Sequence, residues 1–205
     1  MNVISNTENR ILMAQALESL KGKWGLAIGA WIVVTLISVG TQAFGDVGAL
    51  VSIVITGPLT LGWVGFVLAL SRNQNPKFEQ IFEGFNRFGT ALGAYLLMLL
   101  FIILWTLLLI IPGIMAALSY SQTFYILSED PSIGAMDAIK KSKEMMYGNR
   151  WKLFCLGLRF IGWLLLCILT FGIGFIWLAP YIAVSMAKFY DDLAHGTSAA
   201  APLTV

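Results

Sequence analysis

Long runs without a charged residue alternate with short polar stretches along the chain. The main uncharged runs cover Trp24–Gly45, Val47–Ser71, Phe88–Ser128 and Leu153–Phe189. Only Arg159 and Lys188 interrupt the last of them. A helix rises 1.5 Å per residue and needs about 20 residues to cross a bilayer, so each of the first two runs predicts one crossing. The pattern therefore predicts an all-α protein, a polytopic bundle of transmembrane helices.

The run that begins at Phe88 is too long for one crossing. As a single helix of roughly 40 residues it would measure about 60 Å, twice the thickness of a hydrocarbon core. Pro112 lacks a backbone donor and Gly113 tolerates left-handed conformations, so this pair predicts a tight turn. The crossings on either side are expected at about 89–111 and 113–128.

Glycines divide the last run in the same way. Gly172 and Gly174 predict a turn between crossings at about 153–171 and 174–190. In the second run, Gly57 and Pro58 predict a structural break or kink. The expected total is about six spans, arranged as three helical hairpins.

The basic residues lie on one side of this arrangement. Lys and Arg precede the first span, follow the second and fourth, and occur again at the end of the sixth, whereas the three opposite turns have none. By the positive-inside rule, both termini are expected in the cytoplasm.

Each predicted hairpin follows an amphipathic stretch. The first begins after Ser5-x-x-Glu8, a pattern typical of a helix capping box. The others lie at 76–88, which is rich in Phe, and at 131–149, where apolar residues oppose lysines. Such helices lie in the headgroup layer or pack over the cytoplasmic ends of a bundle.

Together these units predict a three-fold repeat within one integral membrane domain, residues 1–195. The repeats would cover about 7–71, 76–128 and 132–190. Residues 196–205, most of which are small, are expected to form a disordered C-terminal tail.

Composition agrees with a membrane protein. Hydrophobic residues make up 58% of the 205 residues and charged residues 12%, against roughly 25% charged in soluble domains.

We find no Ser/His/Asp set, phosphate-binding glycine loop or group of metal ligands. No enzymatic activity, catalytic residue, cofactor, metal or nucleic-acid partner is therefore expected.

Several segments resemble a known family. They are GPLTLG at 57–62, FEQIFEGF at 78–85, the stretch LLLIIPGIMAALSYSQTFYILSEDPSIGAMDAIKKSKEMMYGNRWKLF at 107–154, FIGW at 160–163, LTFGIGFIWLAPY at 169–181 and KFYDDL at 188–193. In these segments the chain is similar to the bacterial membrane proteins called domain of unknown function 975. The resemblance implies a multi-pass protein of the bacterial cytoplasmic membrane and brings no catalytic residues with it.

Arg159 is the charged residue deepest within a predicted span. Ionisable residues at such depth are costly and favour a functional role, here gripping an anionic substrate or a lipid phosphate. Alternatively, Arg159 reaches back to the headgroups or pairs with Asp130, Asp191 or Asp192.

A polar cluster runs from Ser119 to Thr123 and includes Tyr120 and Gln122. Its side chains either hydrogen-bond to the backbone and to neighbouring helices or line a substrate path.

The lysines Lys140, Lys141 and Lys143 either bind anionic lipid or serve only to orient the chain. Small residues at Gly25-x3-Gly29 and Gly89-x3-Gly93 permit close helix contacts, within the chain, in a homo-oligomer or with another membrane protein.

Two hypotheses of function follow. The first is a non-enzymatic scaffold, regulator or lipid-associated membrane component, with the lipid bilayer as its partner. The second is a small transporter or permease-like protein with a polar path near Ser119–Thr123 and Arg159.

Overall fold

The computed structural model describes residues 4–196, and these residues form helices and turns without any strand. The helices are α1 (Asn9–Leu20), α2 (Trp24–Gln42), α3 (Gly45–Ser71), α4 (Gln80–Glu83), α5 (Phe88–Leu108), α6 (Ile110–Tyr120), α7 (Thr123–Glu129), α8 (Ala135–Met145), α9 (Arg150–Leu169) and α10 (Phe175–His195). A 3-10 turn (Gly84–Arg87) joins α4 to α5. The expected all-α class is confirmed. The expected tail, 196–205, lies outside the described residues apart from Gly196.

Among residues 4–196, five helical segments are long and apolar enough to cross a membrane: Trp24–Gln42, Gly45–Ser71, Gln80–Leu108, Ile110–Glu129 and Arg150–Leu169. The sixth expected span, α10, has 21 residues but carries Lys188, Asp191 and Asp192 near its end. Six crossings with both termini in the cytoplasm therefore stay a prediction, as does the sequence repeat.

Helix α3 forms the centre of the bundle because its second half is apolar on every face. Leu59, Phe66, Val67 and Leu70 are all buried there. Around it pack α1, α2, α5, α7 and α10, together with the α4 segment.

Gly57 and Pro58 lie inside α3, which continues through them without a turn. Their role is close packing. A Cβ atom built on Gly57 would lie 2.8 Å from the carbonyl oxygen of Ala91 in α5. One built on Gly62 would lie 1.9 Å from the carbonyl oxygen of Ile81. Only glycine permits backbones to approach so closely.

The turn expected at Pro112 and Gly113 occurs three residues earlier, at Leu109, whose extended backbone (φ −162°, ψ 145°) separates α5 from α6. Pro112 instead occupies the first turn of α6, where a missing N–H leaves no hydrogen bond unmade. Gly113 allows α6 to pack on α5, since a Cβ there would lie 2.2 Å from Thr106 Oγ1. The prediction that the long run folds back is thus correct, but the prediction that it turns at Pro112 and Gly113 was wrong.

The last hairpin turns between α9 and α10. Gly172 adopts a positive φ of 86° in this turn, and Gly174 packs against Cys167. Lower in the hairpin, the rings of Phe160 and Tyr181 meet edge to face at 5.3 Å.

Candidate functional site

The polar cluster marks a break between α6 and α7 rather than one helix. The hydroxyls of Ser119, Ser121 and Thr123 donate to backbone carbonyls three or four residues earlier. The hydrogen-bonding capacity of these hydroxyls is therefore used within their own segment, as expected if the cluster bonds to the backbone and does not line a substrate path.

Ser142 of α8 enters this break. Its hydroxyl donates to the carbonyl of Ser119 at 2.8 Å and accepts from the amide of Gln122 at 3.2 Å. Insertion of a side chain into the backbone ladder is a recognised cause of helix interruption. Beside it, Gln122 is buried and its Oε1 has no partner among residues 4–196.

Next to this break lies a cavity that we call the basic groove. It measures about 340 Å³ and lies on the face shared by α5, α6, α8 and the start of α9. It is lined by Trp105, Pro112, Met115, Ala116, Ser119, Tyr120, Lys143 and Arg150. The ring of Tyr120 packs on Phe101 with 6.0 Å between centroids, which fixes one wall. Two cations thus lie beside a largely apolar cavity.

The mouth of the basic groove is a second cavity of about 490 Å³. Its lining is Lys140, Lys143, Glu144, Tyr147 and Arg150. Three cations against one carboxylate leave it positively charged. Lys143 and Arg150 line both cavities, so the charged cavity adjoins the apolar one.

Not all cations of α8 take part. Lys140 lies at the mouth but also pairs with Asp137 at 3.6 Å, where both side chains are exposed. Lys141 is exposed and lines neither cavity. The pKa of Asp130 is lowered mainly by hydrogen bonds from Ser132, with a smaller contribution from the charge of Lys141.

Arg159 lies exposed on α9 and makes no hydrogen bond or ion pair with the residues that the structure describes. The expected pairing with Asp130, Asp191 or Asp192 is wrong. Asp130 accepts from Ser132, and the other two carboxylates are engaged elsewhere.

Sequence reasoning missed the network around Asp191. Arg72, at the end of α3, donates to Asp191 and to Glu129, in both cases at 2.7 Å. Glu129 also accepts from the hydroxyl of Tyr190 and lies 3.3 Å from His195. Burial alone would lower the pKa of Arg72, but the hydrogen bonds to the two carboxylates outweigh it and raise that pKa. The network joins the ends of α3, α7 and α10.

The neighbouring carboxylate, Asp192, binds the N-terminal segment. The hydroxyls of Ser5 and Thr7 both donate to it, and the ammonium of Lys152 lies 3.6 Å away. Ser5 therefore does not cap α1, contrary to the capping-box prediction; the helix begins at Asn9 without a side-chain cap. Only the charged pair in KFYDDL could have signalled a partner.

The small-residue faces do not join membrane helices to one another within the chain. A Cβ on Gly25 or Gly89 would meet nothing within 4 Å, and one on Gly29 would meet the Phe78 ring at 3.0 Å.

The comparisons with known proteins give one result. Residues 7–112 and 106–196 match the family described as "Protein of unknown function (DUF975)". The two segments cover nearly the whole chain, so the chain belongs to this family. No curated protein and no solved structure matches it.

Proposed function

We propose that this member of the DUF975 family is a non-enzymatic component of the bacterial cytoplasmic membrane that binds an anionic phospholipid in the basic groove. The observation that carries the proposal is the position of Lys143 and Arg150, at the junction of an apolar cavity and a charged mouth. A phospholipid has the same division between an apolar chain and a charged head. Basic pockets between membrane helices bind anionic headgroups.

Arg150 supplies the strongest support. Its Nε is buried and has no hydrogen-bond partner among residues 4–196. A buried donor left unpaired costs about 1–3 kcal/mol. A phosphate oxygen would satisfy it, and guanidinium binds phosphate in a fixed geometry.

Basic residues also lie just before α2 and α5, and there they have protein partners. Lys23 donates to Asn73 at 3.1 Å. Arg87 donates to the carbonyls of Asp130 and Ile133 near the end of α7, at 3.4 and 3.1 Å. Arg150 alone of these three has a buried side-chain donor without one, which favours a ligand over a purely topological role.

The transporter alternative has weaker support. It requires a polar path along Ser119–Thr123, yet the hydroxyls there bond to their own backbone. Arg159 faces outward on α9. We therefore prefer lipid binding.

Native mass spectrometry with added phosphatidylglycerol tests the proposal. We expect the double variant Lys143→Gln/Arg150→Gln to bind the lipid at least about tenfold more weakly, because two charge-assisted hydrogen bonds, each about 1.5–3 kcal/mol, are lost. Lys77→Gln/Arg10→Gln, which removes an exposed lysine and an exposed arginine that line neither cavity, serves as the matched control. Equal binding by the double variant and this control would refute the proposal.

A further inference from the structure

A third cavity in the bundle, here called the tryptophan cleft, is open along α10 between α2 and α9. It measures about 370 Å³, within the usual range for small-molecule sites of about 300–1,000 Å³. It is lined by Leu17, Trp24, Trp163, Leu166, Cys167, Thr170, Gly174, Trp177, Leu178 and Tyr181. Nearly all of these lining groups are apolar, so the cleft favours a hydrocarbon occupant.

The wall contributed by α9 is a regular stripe. Trp163, Leu166 and Thr170 recur at intervals of three and four residues, which places them on one face of the helix. Arg159 precedes Trp163 by four residues and continues this stripe, one turn or about 6 Å toward the start of α9. A cation therefore lies in line with one end of an apolar cleft.

Arg159 has no ion pair among the described residues, and α9 is one of the helices apolar enough to cross a membrane. An arginine within a span is costly unless it finds a counter-charge. A phosphate group supplies that counter-charge, and guanidinium binds it bidentately. Charge and apolar surface thus point to one amphiphilic ligand.

We infer that the tryptophan cleft binds the acyl chain of an anionic phospholipid whose phosphate contacts Arg159. A partner helix does not fit, because a helix is about 10–12 Å wide and 370 Å³ would hold only about one turn of it. The cleft and the basic groove share no lining residue. The two sites are therefore separate, and each can be emptied without the other.

The experiment uses the purified full chain in detergent with phosphatidylglycerol that carries a photoreactive diazirine in one acyl chain, at a few lipids per protein. Native mass spectrometry counts bound lipids, and peptide mapping locates the crosslinks. Arg159→Gln removes the cation, and Leu166→Trp fills the cleft. Leu165→Trp, a neighbour on α9 outside the lining, and Arg10→Gln, an exposed arginine on α1, are the matched controls.

We expect the wild-type chain to bind two lipids, with crosslinks in residues 105–120 for the basic groove and in residues 163–181 for the cleft. Arg159→Gln and Leu166→Trp should each lower occupancy of the second site at least tenfold and remove the crosslinks in 163–181. Neither control should do so, and circular dichroism verifies that each variant folds.

If Arg159→Gln and Leu166→Trp both still crosslink in residues 163–181 as strongly as the wild-type chain, the inference is overturned. Loss in only one of them would also overturn it, since the proposed lipid needs both contacts. The double variant at Lys143 and Arg150 separates this outcome from failure of the basic groove, because it should lose only the crosslinks in 105–120.

Discussion

Replacement of Asp191 by Asn tests whether the buried ion network holds the helix ends together. Asp191 Oδ1 accepts from Arg72 Nε at 3.0 Å and from Arg72 Nη2 at 2.7 Å, across 119 residues of sequence. Asn preserves the size of the side chain and removes its charge. The substitution therefore isolates the electrostatic part of the contact.

The expected loss of stability follows from the burial of the pair. The Asp191 side chain is 10% exposed and the Arg72 side chain 26%. Removing one partner of a fully buried pair costs about 3–5 kcal/mol, whereas exposed pairs contribute about 0–1 kcal/mol. For this intermediate burial we expect about 2–3 kcal/mol, which corresponds to a fall in Tm of about 4–12 °C for a chain of this length.

Thermal unfolding in detergent, followed by circular dichroism, measures this shift. Asp46→Asn, at an exposed aspartate that forms no ion pair with the described residues, is the control and should change Tm little. A double-mutant cycle with Arg72→Gln should give a coupling free energy of at least about 1 kcal/mol. If Asp191→Asn is no more destabilising than the control, or if the coupling is zero, the network does not stabilise the bundle.

Three further substitutions test the packing through the same Tm measurement. Gly62→Ala should lower stability by about 3 kcal/mol, because its Cβ would collide with a backbone carbonyl; Gly25→Ala, which meets nothing, should be neutral or slightly stabilising. Ser142→Ala should cost about 1–2 kcal/mol by leaving the α6–α7 break unbridged, whereas Ser38→Ala, which loses only a bond to its own exposed helix, should cost almost nothing. Gly172→Ala should cost about 1–2 kcal/mol because φ there is 86°. Equal effects in variant and control would contradict each argument, and an unchanged Tm would contradict the last.

Hydrophobic run lengths predicted the helices well because bilayer thickness sets a length that can be counted along the chain. The exact turn was harder to place. Proline suits both a turn and the first turn of a helix, and at Pro112 only packing against α5 decides between them: Gly113 must lie beside Thr106, which moves the break to Leu109. Gly57 likewise suggested a break in α3, but it lies inside the helix at a point where α3 packs closely against α5.

The candidate site was only partly predictable from sequence. Lys143 was identified because lysines cluster on one face of the amphipathic stretch 131–149, and Tyr120 because polarity stands out within an apolar run; both line the basic groove. Arg150 gained its importance only from the fold, which buries its Nε without a partner. The pairing of Ser5 with Asp192 was beyond reach, since it joins residues 187 positions apart and no local pattern encodes it.

Ion pairs and hydrogen bonds link the helices at one end of the bundle, here called the fastened end. The networks of Asp191 and Asp192 join the chain at the ends where basic residues concentrate, whereas the opposite turns carry exposed apolar residues such as Ile111 and Phe171. Both proposed lipid sites have a cation toward the fastened end and apolar walls that extend away from it. Each site thus offers the headgroup one or two cations and offers the acyl chain an apolar wall. We therefore expect headgroup charge to decide which lipid binds: replacing phosphatidylglycerol by phosphatidylethanolamine should weaken binding in native mass spectrometry more than shortening its acyl chains by two carbons, and the reverse order would contradict this reasoning.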